Sequence, residues 1–171
     1  MGIIDSIKNM FGPVNYQKPV SPEVSKPPQY YLKDRNTNLN DSDFESIKPI
    51  LYGEISNRAP NKQQLESSVI MNTALNRMKA YRDRGTPKTL AEVLSMPNQY
   101  QAYKGPQYNN YFNPPDAPSL NKKKQVDMMV ASIKDQMKGG QFSDNTEGAY
   151  YYTHNKDKTI QYDNLKKLFA S

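Results

Sequence analysis

The stretch with the clearest chemical potential is Leu51-Tyr52-Gly53-Glu54-Ile55-Ser56-Asn57-Arg58-Ala59-Pro60. It places one carboxylate, Glu54, where an apolar run leaves the core. Leu51, Tyr52 and Ile55 flank that carboxyl, and burial against apolar walls disfavours the charged form of an acid. A carboxyl kept neutral is a proton donor, the group needed on the leaving oxygen when a glycosidic bond breaks. Gly53 beside it reads as room for a substrate. A plainer role is also open: a helix-terminal Glu pointing into water, mildly disfavoured by the helix dipole.

Other chemistries find little support. The chain has no cysteine and a single histidine, His154. That excludes disulfides, Cys nucleophiles and thiolate metal ligands, and argues against a His-rich metal site or a Ser-His-Asp triad. His154 reads as a surface or loop hydrogen bonder. Neither metal-ligand nor phosphate-loop spacing occurs, so neither metal nor cofactor is expected. Asp116, Asp144 and Glu147 are acids in loops, and nothing in their spacing makes one the partner of Glu54.

The elements that must position Glu54 follow from periodicity. Asp41, Ser42 and Asp43 offer N-caps, and Phe44, Ile47, Ile50 and Leu51 form a buried stripe at helical spacing, with Pro49 inside it. A second helix opens at Pro60-Asn61, with Asn61 and Gln64 in capping-box spacing and Leu65, Val69, Leu75 and Met78 facing inward. Thr86-Pro87 reads as the start of a short helix carrying Leu90, Val93 and Leu94. Residues 96–118 have no regular period and are crowded with Tyr, Asn, Gln and Pro, the composition of a functional or irregular loop. From Ser119 a helix resumes, with Val126, Met129, Val130, Ile133 and Met137 as core and Gly139-Gly140 past its end. "GAYYYT" reads as a strand, with Tyr150 and Tyr152 on the face opposite Tyr151, and "YDNLKKLFA" as a last helix.

Ahead of this domain, residues 1–12 form an amphipathic helix through Ile3, Ile4, Ile7, Met10 and Phe11, and residues 13–40 a Pro-rich extended arm. The expected organisation is therefore an anchoring helix at 1–12, an arm at 13–40 and a domain at 41–171. The fold class is α+β, mainly α, with a small β element. At 171 residues and a mean hydropathy of −0.91, the chain supports one compact core in a strongly solvated body. No run approaches the roughly 20 apolar residues of a membrane span, so no transmembrane segment is expected. No signal-peptide stretch is present either. The net charge of +6 fits an anionic partner or simple solubility. The densest basic run, Lys122-Lys123-Lys124, reads as a solvated face. Specific nucleic-acid binding would rest on net charge alone, without clustered Arg or a binding module.

"LYGEISNRAPNKQQLESSVIMNTALNRM" resembles the opening of the SleB-like, spore-cortex-lytic family of cell-wall hydrolases. The matching motifs are Tyr52-Gly53-Glu54, Leu75-Asn76-Arg77, the Gln99-Tyr100-Gln101 element, and Gly148 and Ala149 with Tyr151 and Tyr152. Together they span roughly residues 43 to 156. One departure stands out: the family often carries a second acid shortly after the first, and here Arg58 stands about there. The resemblance implies a lysozyme-like domain that cleaves peptidoglycan as a lytic transglycosylase, with Glu54 as the single acid and base. It places Gln99, Tyr100, Gln101, Tyr103, Tyr151 and Tyr152 along the glycan groove. Arg77 is expected to join two helices through a salt bridge rather than to touch substrate. The arm and the missing export signal suggest a component of a bacteriophage particle, held to other virion proteins by its N-terminal segment and opening the wall at genome entry. An endolysin, or a virion adaptor that keeps the fold without activity, are the alternatives.

Overall fold

A computed structural model describes residues 30–55, 59–97, 99, 100, 102–154 and 160–163. The expected anchoring helix and most of the arm lie outside them. The described chain is mainly helical, with two small antiparallel hairpins. No helix among the described residues is long and apolar enough to cross a membrane.

The first hairpin moves the boundary expected at Asp41. Strands β1 (Tyr30–Leu32) and β2 (Thr37–Leu39) pair antiparallel, Tyr30 opposite Leu39 and Leu32 opposite Thr37. Alternation buries Tyr30, Leu32, Thr37 and Leu39 while Tyr31 faces out. Tyr30 meets Phe44 edge-on at 4.8 Å. The turn is tied down by two arginines. Buried Arg35 donates Nη1 to Asn72 Oδ1 at 2.5 Å, and Arg82 donates to the carbonyls of Arg35 and Asn36 and to Thr37 Oγ1. The last eleven residues assigned to the arm, 30–40, thus belong to the folded domain, and Tyr30, Leu32 and Leu39 enter its core.

Helix α1 (Asp41–Glu54) starts from a capping box between Asn40 and Asp43, one residue before the caps expected, and buries the anticipated stripe. It runs through Pro49, which only removes the amide that would have bonded the preceding turn. Helix α2 (Pro60–Asp83) is the hub. From Ser67 to Arg77 nearly every residue is buried, including Asn72, Thr73, Asn76 and Arg77. A helix packed on all sides carries no single apolar stripe. Leu65, expected inside, precedes that stretch and is 58% exposed, while Ile70, Met71 and Ala74 within it are fully buried. Its N-cap is Ala59, with no side-chain cap, so the Asn61–Gln64 box is absent.

Helix α3 (Leu90–Leu94) is capped by Thr89 and Glu92 rather than started by Thr86-Pro87. The aperiodic stretch contains a short helix, α4 (Pro106–Phe112), with proline in its first turn. Helix α5 (Ala117–Lys138) is capped by Asp116 and buries the expected Val126, Met129, Val130, Ile133 and Met137. The second hairpin pairs β3 (Tyr151–His154) with β4 (Ile160–Asp163). Tyr162 and Asp163, read above as the start of a last helix, belong to β4, and the remainder of that reading falls outside the described residues.

Candidate functional site

Glu54 is the final residue of α1 and is partly buried. Its Oε1 accepts a hydrogen bond from the Ala102 amide at 2.8 Å. Gly53 makes that contact possible. A Cβ on residue 53 would lie 2.3 Å from Ala102 Cβ and 3.5 Å from Gln107 Cβ. The glycine therefore clears space for the loop that holds Glu54, and it also lines the cavity described below.

Behind the carboxyl stands a wall of tyrosines. Burial pushes the Tyr152 hydroxyl well above its usual pKa, reinforced by the neighbouring Glu54 carboxylate and by Tyr100. Tyr100 is buried and shifted the same way, mainly by desolvation, with Arg77 pulling it down and Glu54 pushing it up. The two rings lie 6.2 Å apart. Beneath them is Arg77, 1% exposed. Its guanidinium is 5.3 Å from the Tyr100 ring and 4.5 Å from the Tyr151 ring. Its Nε donates to the Tyr150 carbonyl at 2.7 Å. Among the described residues Arg77 makes no salt bridge, contrary to expectation; a carbonyl and two ring faces hold it instead.

Asn76, its neighbour, donates to Asp144, Thr146 and the Ala149 carbonyl. The Leu75-Asn76-Arg77 motif is therefore the peg that fixes residues 144–151 behind Glu54. Asp144 also accepts from the Thr146 amide and hydroxyl and from the Gly148 amide. Burial raises its pKa, but the hydrogen bonds of Thr146 and Asn76 outweigh it and hold the group below the ordinary carboxylate value. Asp116 is committed to capping α5, and Glu147 sits at a left-handed turn. Asp116 and Asp144 are thus engaged in structural hydrogen bonds.

Of the residues matched to the glycan groove, Tyr100, Tyr151 and Tyr152 gather around Glu54 and Arg77. Tyr103 instead stacks edge-on with Tyr108 at 5.5 Å, which continues to Phe112 along α4. No hydrogen bond joins Gln99 to Glu54 among the described residues; its amide donates weakly to the Pro97 carbonyl. Gln101 and Arg58 lie outside the described residues, as does the His154 side chain.

A cavity of about 570 Å³ opens against the same end of α1, between α4 and the first turns of α5. Tyr52 and Gly53 form one wall, and Gln107, Ser119, Asn121 and Lys122 the others. Its walls come from three separated segments, so no single motif marks it. Glu66 was missed too. It is 4% exposed, and its charge raises the pKa of Lys122 against the lowering effect of burial. Nothing in the polar opening of α2 distinguishes it from a solvated Glu. Comparison with known proteins finds no matching family model, no matching curated protein and no matching solved structure.

Proposed function

We propose that the protein is a lysozyme-like peptidoglycan-cleaving enzyme, a lytic transglycosylase in which Glu54 is the sole acid and base. The observation that carries this reading is the setting of Glu54. It is a half-buried carboxyl at a helix end, held among the described residues by the Ala102 amide and backed by tyrosines over a buried arginine, and the residue before it, Gly53, lines a cavity of about 570 Å³. With Oε1 engaged by the Ala102 amide, a proton carried by Glu54 sits on Oε2. Donated to the glycosidic oxygen, it lets the C1–O bond break. The same carboxylate then accepts the proton of the sugar's 6-hydroxyl as that oxygen bonds C1. The product is a 1,6-anhydro end, and neither water nor a second carboxylate is consumed. Glycosidases that work through two acids place them about 5 to 9.5 Å apart, and the committed roles of Asp116 and Asp144 favour the one-acid route.

Delivery in a phage particle, with the N-terminal segment bound to other virion proteins and action in the periplasm or wall, is the setting that fits this activity best. The alternative of a non-enzymatic adaptor has one observation in its favour: the Glu54–Ala102 bond ties α1 to a loop and has structural value by itself. Digestion of purified peptidoglycan, with mass spectrometry of the fragments, separates the two. Wild type should release anhydro-ended fragments and Glu54→Gln should release none. Equal clearing by both proteins, or by neither, sinks the enzymatic reading, and reducing ends in place of anhydro ends convert it to hydrolysis.

A further inference from the structure

Three of the five large hydrophobic side chains that stand exposed among the described residues belong to α4 and α5: Phe112 is 55% exposed, Leu120 42% and Met128 71%. Buried Tyr111 joins the two helices here. Its hydroxyl donates to Asp127 at 2.7 Å, its ring meets Phe112 edge-on at 5.3 Å, and the Lys123 ammonium lies 3.8 Å from its centroid. Leu120, Lys123, Lys124 and Met128 follow at helical spacing, so they share one stripe of α5 beside that junction. From Phe112 the rings continue through Tyr108 to Tyr103, 5.5 Å apart at each step.

The lysine run at 122–124 does not form the uniformly solvated face expected of it. Lys122 turns into the cavity beside Gly53, Lys123 lies on the Tyr111 ring, and Lys124 is exposed. Lys104 adds an ammonium 5.3 Å from the Tyr103 ring, so residues 103–128 carry four lysines against Asp116 and Asp127. Asp116 caps α5, and Asp127 is engaged by Tyr111 with Lys48 at 3.6 Å. A positive balance beside exposed apolar side chains is complementary to a surface that is anionic outside and apolar just beneath. An anionic phospholipid bilayer is such a surface: aromatic rings suit its interface, and lysine stems lie along apolar material while the ammonium stays in water. Nucleic acid fits less well. Bases stack on open ring faces, whereas lysines occupy the faces of Tyr103 and Tyr111, and Tyr103, Tyr108 and Phe112 stand tilted or edge-on to one another.

We propose that the α4–α5 corner is a peripheral docking surface for an anionic phospholipid membrane. Phe112, Leu120 and Met128 enter the interface, while Lys104, Lys123 and Lys124 meet the headgroup phosphates. The proposal stands on observations separate from Glu54, so the loss of either reading leaves the other intact.

The test is co-sedimentation of the full-length protein with vesicles, either of phosphatidylcholine alone or of equal parts phosphatidylcholine and phosphatidylglycerol. Binding to the anionic vesicles is expected, and much weaker binding to the neutral ones. Lys123→Gln with Lys124→Gln should weaken the anionic binding roughly tenfold, the order expected for two lysines near a charged surface. Phe112→Ser with Leu120→Ser should weaken it by roughly the same factor through lost apolar contact. Equal binding to both vesicle types overturns the proposal. So does binding that neither pair of substitutions moves, the result expected if residues 1–29 supplied all the contact. The chain has no tryptophan, so Phe112→Trp adds a reporter whose emission should shift to the blue on anionic vesicles. An unchanged spectrum overturns the proposal even where a serine pair fails to fold. Capture of single-stranded DNA, or self-association in sedimentation, that the same substitutions abolish while vesicles go unbound gives the face to nucleic acid or to a second copy, and equally overturns it.

Discussion

Glu54 and Asp144 are carboxylates in adjoining parts of the molecule, and they are held in opposite ways. Asp144 is surrounded by donors: the Thr146 amide and hydroxyl, the Gly148 amide and Asn76. Its lone pairs are consumed by the turn it organises. Among the described residues Glu54 accepts from the Ala102 amide, lies beside the Tyr152 hydroxyl, and is only partly buried. The two carboxylates therefore differ in how many described donors engage them.

Exchanging each acid for its amide tests that contrast directly. Glu54→Gln should reduce peptidoglycan cleavage at least 100-fold, the lower range for loss of a general acid, and leave the melting temperature nearly unchanged. Asp144→Asn should do the reverse, costing about 1–3 kcal/mol of stability through unsatisfied donors. Because the folded pKa of Asp144 lies below its unfolded value, its contribution is present at neutral pH and is lost as pH falls through that folded value. The Asn variant should therefore show a shallower decline of melting temperature in acid than wild type. A variant pair with the opposite pattern would break the comparison.

Gly53→Ala sharpens it from the backbone side. The added methyl meets Ala102 Cβ, so about 1–3 kcal/mol of destabilisation is expected, with loss of activity as the Ala102 amide shifts away. Ala102→Gly in the same chain makes room for the methyl, and a double-mutant cycle should recover much of the stability. Tyr152→Phe removes the hydroxyl that lies beside Glu54 and should cost no more than about 0.5–1.5 kcal/mol, with a larger fractional effect on turnover than on binding. The smallest change is expected at Leu65, exposed on α2: replacement by Lys should stay within about 0.5 kcal/mol in denaturant titration.

Legibility in the sequence followed the kind of burial. The stripes of α1 and α5 were readable because each packs on one face: Phe44, Ile47, Ile50 and Leu51, then Val126 to Met137. Helix α2 was misread at Leu65, which precedes the stretch buried on every side, where polar side chains act as fastenings. The β1–β2 hairpin was hidden because only Tyr30, Leu32 and Leu39 carry its apolar alternation, amid Lys, Asp, Arg and Asn. At the site, Glu54 and three of the tyrosines stood out by type and order. The Ala102 amide could not, since every residue but proline carries one, and neither could the tight fit that requires glycine at position 53. Lys122 was invisible for another reason: direction into or away from a cavity is set by how α4 and α5 meet.

The grip of Arg82 on the first turn has a mechanical consequence. A pull applied at Tyr30, the first described residue, would enter the domain at β1. There Arg82 and Arg35 refer the load sideways into α2 through carbonyl and amide contacts. The long central helix acts as a mast that shares the strain, instead of leaving it to travel along the chain into α1 and disturb the acid at its far end.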